Sequence, residues 1–490
     1  MIIYLINHKF RFETENLCRL FFQNDKFEFR EVKDELPNDD YIYTELRQID
    51  KKCAIMIKVN VRNQYKEDEQ YIDLNVQDFD EDTCERELAV MLFKSLSEIM
   101  NMRPSWGIIT GVRPVKLLKT LVDLYGEEGA YKYFKENLLC SDKKLELAKK
   151  TLKNQEKILN LSGERSVSLY ISIPFCPSRC SYCSFVSQSI EKAKHLIPDY
   201  TDLLCKEIEY SMEMINKLNL RLETIYIGGG TPTSIDAIYF KQIMDAINKN
   251  VKEVKEFTVE AGRPDTITRE KLEVLKSGGV TRISINPQTF NNEVLNIIGR
   301  RHSAEEIIES FNLARQIGFN NINMDIIVGL PSDNLESFAN TLSNICRLDP
   351  EGVTVHTLSL KRASSLTLGG SKIDQEKASL GSEMMKLAEI TLEKNNYMPY
   401  YLYRQSCMID NLENVGWSKK DFECFYNIYI MDETHSIFAC GAGAVTKIKD
   451  QRSGHLERLF NYKFPYEYIK DFNKIIEKKR RIEEVYDEFH

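Results

Sequence analysis

Between Ser168 and Leu360 the chain alternates six short β-rich runs with longer stretches of helical periodicity, and this pattern constrains the fold most. The runs are Ser168–Phe175, Thr224–Ile227, Glu256–Glu260, Arg282–Ile285, Ile322–Val328 and Val353–Leu360. Helical spacing fills the gaps at Tyr200–Leu218, Phe240–Asn248, Arg269–Lys276, Ala304–Ile317 and Leu335–Leu348, and returns at Gln375–Lys394. Strand, helix and strand in repetition imply right-handed crossovers and a parallel sheet. An open doubly wound sheet and a barrel-like closure both satisfy the pattern.

The flanks read differently. Residues 1–105 mix alternating runs (Ile2–Ile6, Ala54–Val61, Tyr71–Val76) with a helical stretch around Cys84–Met100, which predicts a small N-terminal α/β domain. The turn-rich Pro104–Pro114 marks a boundary, and residues 106–165 read as a helical connector. The alternating region then occupies 166–395, and 396–490 reads as a C-terminal cap with an aromatic-rich stretch (Tyr397–Tyr429), glycines at 441 and 443, and a final helix. With 490 residues, two or three domains fit.

A net charge of −8 without a long basic block disfavours nucleic acid. Lys478–Arg481 reads as the solvated face of the terminal helix. The start, "MIIYLINHKFRFE", carries no basic leader, and no apolar run approaches the length of a membrane span. A cytoplasmic protein with no membrane insertion is expected. Nine of the 12 cysteines are scattered singly, the usage of a reducing compartment.

The other three, Cys176, Cys180 and Cys183, crowd one loop after the first run. Active sites of parallel sheets collect at the carboxyl ends of strands, and the unusual residues fall there. The first run ends in the cysteine loop, the second in "GGGTPT" (Gly228–Thr233), and the third at Glu260 in "VEAGRPD". The fourth leads to Gln288 and on to Arg300, the fifth carries Asp325, and the sixth ends near Ser359. C-x₃-C-x₂-C suits an iron–sulfur cluster with one iron free of protein ligands; zinc, borrowing Cys205 or His195, is the alternative. The glycine triplet lacks the lysine and spacing of a P-loop; it reads either as a tight turn or as a cradle for a small zwitterion. "GAGAVT" at Gly441 lacks the third glycine of a dinucleotide fingerprint and reads as a packed turn.

These residues resemble the radical S-adenosylmethionine enzymes: the three-cysteine loop with Tyr182 before its last cysteine, followed by the glycine triplet. "YISIPFC", "GGGTPT", "VEAGRPD", "PQTFNNEVLNIIGRRH" and "MDIIVGLP" are similar to oxygen-independent coproporphyrinogen III dehydrogenases and their relatives. "YYLYRQ", "NLENVGW" and the long N-terminal extension resemble the HemZ-type branch. The resemblance implies a partial (β/α)6 radical-SAM barrel in an α/β chain. It implies a 4Fe–4S cluster on Cys176, Cys180 and Cys183, whose fourth iron is chelated by S-adenosylmethionine. A 5′-deoxyadenosyl radical would then convert two propionates of coproporphyrinogen III to vinyls. Carried over by position, Tyr170, Gly229 and Glu260 would contact the first S-adenosylmethionine and Val445 would close over its adenine. Gly230, Thr231, Gln288, Arg300, Asp325 and Ser359 would hold a second. A tetrapyrrole substrate and a reduced flavodoxin or ferredoxin-type donor are implied as partners, with Lys361, Arg362 and Arg404 as candidate partners of substrate carboxylates. Haem chaperoning, or radical chemistry on another tetrapyrrole, is the alternative. Two departures bear on this: Ser172 stands where the dehydrogenases carry His, and Phe185 where they carry a fourth cysteine. Phe there is shared with the haem-chaperone relatives.

Overall fold

The structure is a computed structural model describing all residues except 24, 33–34, 50–51, 74–80, 185–186, 252, 360–374, 406–407 and 490. For 375–379 and 487–489 it describes the backbone alone. Lys361, Arg362 and Phe185 therefore lie outside the described residues. Two compact units result: Met1–Lys149 with Arg404–Asn411, and Lys150–Tyr403 with Leu412–His490.

In the first unit, β1 (Ile2–Ile6), β2 (Glu28–Arg30), β3 (Tyr41–Ile49), β4 (Lys52–Val61) and β5 (Gln64–Asp73) form a sheet of order β2-β1-β3-β4-β5. β1 runs parallel to β2 and β3, and β3 to β5 form an antiparallel meander. Ile55, Ile57 and Val59 of β4 share a core with Leu88 and Leu92 of helix Glu81–Met100. Of the expected strand Tyr71–Val76, Tyr71–Asp73 end β5 and 74–76 lie outside the described residues; the earlier residues of β5, QYKEDEQ, are mostly polar, as most of this edge strand is exposed. Ile108 and Leu139 pack into the same core. Residues up to 149 fall within this compact unit.

The second unit carries the alternating region. Its strands are β6 (Ser166–Ile173), the two-residue β7 (Phe175–Cys176) and β8 (Gln188–Ser189), β9 (Arg221–Gly229), β10 (Glu256–Gly262), β11 (Arg282–Ile285), β12 (Ile322–Val328) and β13 (Gly352–Thr357). β14 (Met398–Tyr403), β15 (Asn414–Ser418), β16 (Ser436–Cys440), β17 (Val445–Lys449) and β18 (Leu456–Phe460) follow. The main sheet has the order β14-β15-β13-β12-β11-β10-β9-β6-β16-β17-β18. β6, β9, β10, β11, β12 and β13 pair in parallel with helices between them, the expected partial (β/α)6 barrel. The crossover helices begin and end where side-chain chemistry says they should. Helix Ala304–Ile317 opens on a Ser303/Glu306 capping box and closes on Gly318 at φ 98°. The C-terminal cap continues the barrel's own sheet: β14 and β15 extend one edge, and β16 pairs in parallel with β6 at the other.

Candidate active site

β7 and β8 pair in parallel and close the cysteine loop at its stem, reinforced by Gln188 N–H donating to Pro174 O at 2.8 Å. Within the loop Cys183 N–H donates to Cys180 O at 3.1 Å, a tight turn that sets the last two cysteines together. The segment after the short helix Asn292–Ile297 holds the loop from one side. Ser181 N–H donates to Ile298 O (3.1 Å) and Ser178 Oγ to Gly299 O (3.1 Å). Arg300 donates to Tyr182 Oη at 3.1 Å and to Asn286 O at 2.6 Å. Arg300 thus lies against the cysteine loop, because the chain turns back after that helix.

A second clamp comes from "GRPD". Arg263 is buried, and it grips Asp265 with Nε–Oδ1 3.0 Å and Nη2–Oδ2 2.8 Å. Its remaining nitrogen donates to Ser178 Oγ at 2.7 Å, between the first two cysteines. His302 Nδ1 stands 3.7 Å from Asp265 Oδ1. Burial alone would raise the Asp265 carboxyl, but His302 and Arg263 outweigh it and hold the group well below the usual carboxylate range.

The glycine triplet folds back onto the first cysteine. Gly230 N–H donates to Ile173 O (2.9 Å), Thr231 N–H to Phe175 O (2.7 Å), and Thr231 Oγ1 to Cys176 Sγ (3.5 Å). Gly229 sits at φ 113°, and a Cβ there would stand 3.0 Å from Ile173 N and Ser172 Oγ. At Gly230 a Cβ would come within 2.9 Å of Cys176 Sγ. These glycines are needed by the backbone itself, before any ligand approaches.

Below this rim, and apart from the exposed start of β9 and Gly229 at its end, the parallel strands are almost wholly buried. The exceptions are single half-buried side chains in the middle or carboxyl portions of β6, β9, β10, β12 and β13. These are Tyr170, Tyr226, Glu260, Asp325 and His356, and Tyr403 ends β14 in the same state. Strand register places the first five on one inward-facing surface, with Tyr170 opposite Tyr226 and Asp325 opposite Thr354, one pleat before His356. Tyr226 Oη donates to Glu260 Oε1 at 2.6 Å, and its ring stacks on Tyr426 with centroids 4.5 Å apart. Burial, with Asp325 nearby, pushes the Glu260 carboxyl up to about 7, against the hydrogen bond from Tyr226. Asp325 goes the other way: burial would raise it, but His356, the Asn323 amide (2.7 Å) and Thr354 together lower it.

The positions expected to bind cofactors thus fall into two groups. Tyr170, Glu260 and Asp325 line the interior; Cys176, Cys180, Cys183, Gly229, Gly230, Thr231 and Arg300 gather at the rim. Gln288 lies between them at φ 69°, its backbone extending the pairing of β12 through Asp325 O (2.9 Å) and Ile327 N (3.0 Å). Ser359 and Val445, both half-buried, stand just beyond β13 and at the start of β17. Sequence reading misses Arg263, Asp265, His302, His356 and Tyr403; "GRPD" and "GRRH" are visible in it, but not that they meet.

The residues fit an iron–sulfur cluster with a polar cofactor beside it. Gln288 Oε1 and Arg300 Nε are buried with no hydrogen-bond partner, the state expected of groups awaiting a polar ligand. Among the described residues no three Cys, His, Asp or Glu side chains converge tightly enough to chelate a single ion. Three thiols on one clamped loop are instead a donor set that suits a wider polynuclear group. Arg404, by contrast, is 6 % exposed in the first unit, where its guanidinium is taken up by the carbonyls of Ile109 and Asn411. It is not an available cation for substrate.

The radical SAM superfamily profile matches residues 170–345. The oxygen-independent coproporphyrinogen-III oxidase-like protein HemZ of Bacillus subtilis is 41% identical over 391 residues, 78% of this chain and 78% of that protein. The haem chaperone HemW of the same organism is 39% identical over 194 residues, 39% of this chain and 50% of that protein. In fold, the chain resembles coproporphyrinogen III oxidase HemN of Escherichia coli with TM-score 0.52 and 24% identity, over 65% of this chain and 71% of that one. Among the described residues no helix is long and apolar enough to cross a membrane. The chain belongs to the radical SAM superfamily, in the coproporphyrinogen III oxidase-like group that includes HemZ.

Proposed function

We propose that this chain is a cytoplasmic radical-SAM oxidoreductase that oxidatively decarboxylates propionates of coproporphyrinogen III to vinyls. The supporting observation is the barrel interior, where acidic, aromatic and imidazole side chains from successive strands face one space just inside the cysteine loop. Cys176, Cys180 and Cys183 would hold a 4Fe–4S cluster. Gly229, Glu260, Gln288, Asp325 and their neighbours would hold one S-adenosylmethionine or two. Together the bound groups supply one-electron, hydrogen-abstracting chemistry, fed by a flavodoxin or ferredoxin-type donor. Each conversion removes a hydrogen atom from the propionate β-carbon, releases carbon dioxide and passes one electron to an external one-electron acceptor.

The chain's own residues do the rest. Arg263 and Arg300 keep the loop in place. Glu260 holds a proton near neutrality and can release it to meet a cationic ligand, since an opposite charge in a buried site favours the carboxylate. Tyr170, Tyr226 and Tyr426 pack nearly parallel rings and keep the interior poor in water.

A second reading, haem chaperoning without conversion, has one observation in its favour. Ser172, where dehydrogenases carry His, is 4 % exposed and donates to Ala442 O at 2.8 Å, so it offers no acid–base group to a substrate. Anaerobic incubation of the reconstituted chain with coproporphyrinogen III, reductant and S-adenosylmethionine separates the two. Vinyl product by mass spectrometry supports the enzyme. Stoichiometric haem uptake without vinyl product supports the chaperone.

A further inference from the structure

A substrate with several carboxylates needs positive partners inside the barrel, and three buried arginines nearby are engaged largely by protein groups. Arg263 is paired with Asp265 and Arg300 faces the cysteine loop. Arg282, at the start of its strand, donates to Asn321 Oδ1 (3.1 Å) and Phe422 O (2.9 Å). Among Tyr170, Tyr226, Glu260, Asp325, His356 and Tyr403, only His356 is able to carry positive charge.

We infer that His356, beside Asp325, is a substrate-binding residue that takes a carboxylate of the tetrapyrrole; this rests on the tetrapyrrole reading above. β12 and β13 pair in parallel from Asn323 to Val328, which fixes His356 on the same face as Asp325 and one pleat nearer the barrel mouth. Its Nε2 stands 3.5 Å from Asp325 Oδ2, and its side chain is 28 % exposed in a strand otherwise buried. Asp325 is itself locked. Asn323 Nδ2 donates to it at 2.7 Å and to Ser284 Oγ at 2.9 Å, and Thr354 Oγ1 donates to Asn323 Oδ1 at 3.2 Å. A carboxylate fixed by its own partners fixes the orientation of the imidazole in turn. An imidazolium so placed can bridge Asp325 and one incoming carboxylate by charge-assisted hydrogen bonds. The preference is for the acid over its ester.

The test uses the full chain with its cluster reconstituted anaerobically, and coproporphyrin III and its tetramethyl ester as fluorescent probes. Wild type should bind the acid more tightly than the ester. His356→Ala should weaken the acid about tenfold or more and leave the ester unchanged, with His356→Gln between the two and iron content normal in both. Equal acid affinity in wild type and His356→Ala overturns the inference alone. Loss of a haem Soret shift in His356→Ala with unaltered coproporphyrin binding also overturns it, since His356 would then be an iron ligand. His356-dependent acid binding without vinyl product overturns only the decarboxylation reading, whereas no coproporphyrin binding by wild type overturns both.

Discussion

Replacing Arg263 with alanine tests whether the cysteine loop is held by a buried ion pair outside the loop. The Arg263 side chain is 3 % exposed and makes two bonds to Asp265 and one short bond to Ser178. Truncation strands the Asp265 carboxylate, and breaking one side of a buried pair costs about 3–5 kcal/mol. Asp265 is 18 % exposed and keeps His302 at 3.7 Å, so the lower end, about 3 kcal/mol, is expected. That is a large part of the roughly 5–15 kcal/mol that stabilises a domain. The sign with pH follows from the lowered Asp265 pKa. Its contribution is present above the unfolded value, about 3.9, and fades as pH falls towards the folded value, so the deficit should shrink in acid. The assay is denaturant unfolding of the apo chain, followed by iron content and the rate of iron loss to a chelator after anaerobic reconstitution. Arg263→Met with Asp265→Leu should recover much of the stability, because both partners leave together. It should still lose iron quickly, because Ser178 has lost its hold on the arginine. Wild-type iron retention in that double variant would refute the clamp.

Three other outcomes follow from the same structure. Glu260→Gln should stabilise the apo chain at pH 8 relative to wild type by about 1–3 kcal/mol and much less at pH 4.5, because a carboxyl raised to about 7 costs stability as pH climbs from its unfolded value; denaturant midpoints showing the reverse order would sink this. Gly229→Ala should destabilise the apo chain by about 1–3 kcal/mol without any cofactor present, as φ 113° is forced on a residue with a Cβ, and an unchanged midpoint would show that the turn tolerates it. Alanine at Cys176, Cys180 or Cys183 should abolish the 4Fe–4S absorbance while Cys205→Ala, on the helix Ile197–Lys217, retains it; equal iron loss in Cys205→Ala would rule out the three-cysteine site.

The sequence is most legible where neighbours in the chain decide the outcome. Helical spacing, the Ser303 capping box and Gly318 mark a helix whatever surrounds it, and the observed Ala304–Ile317 matches the periodic segment end to end. Three cysteines spaced C-x₃-C-x₂-C are close because the chain makes them so. The barrel interior is less legible, since strands buried on both faces read as continuous apolar runs and hide which residue points inward. In the sequence His356 is one scattered histidine; only the register of β13 on β12 sets it beside Asp325. Most of β5 lacks the alternation of a half-buried strand because it is an exposed edge.

Pairing between distant segments leaves no local trace at all. β16 lies parallel to β6, from Ser436 opposite Val167 to Cys440 opposite Ile171, although the other five parallel strands and their helices separate them in the chain. The clamp on the cysteine loop has the same character. Ser178, Arg263, Asp265, Arg300 and His302 come from three separate segments, and they meet only because parallel crossovers return each segment to the same end of the barrel. Local spacing determined the strands, the helices and the cysteine loop. Tertiary structure decided which side chains face one another, because that depends on strand order and register, which no single segment encodes.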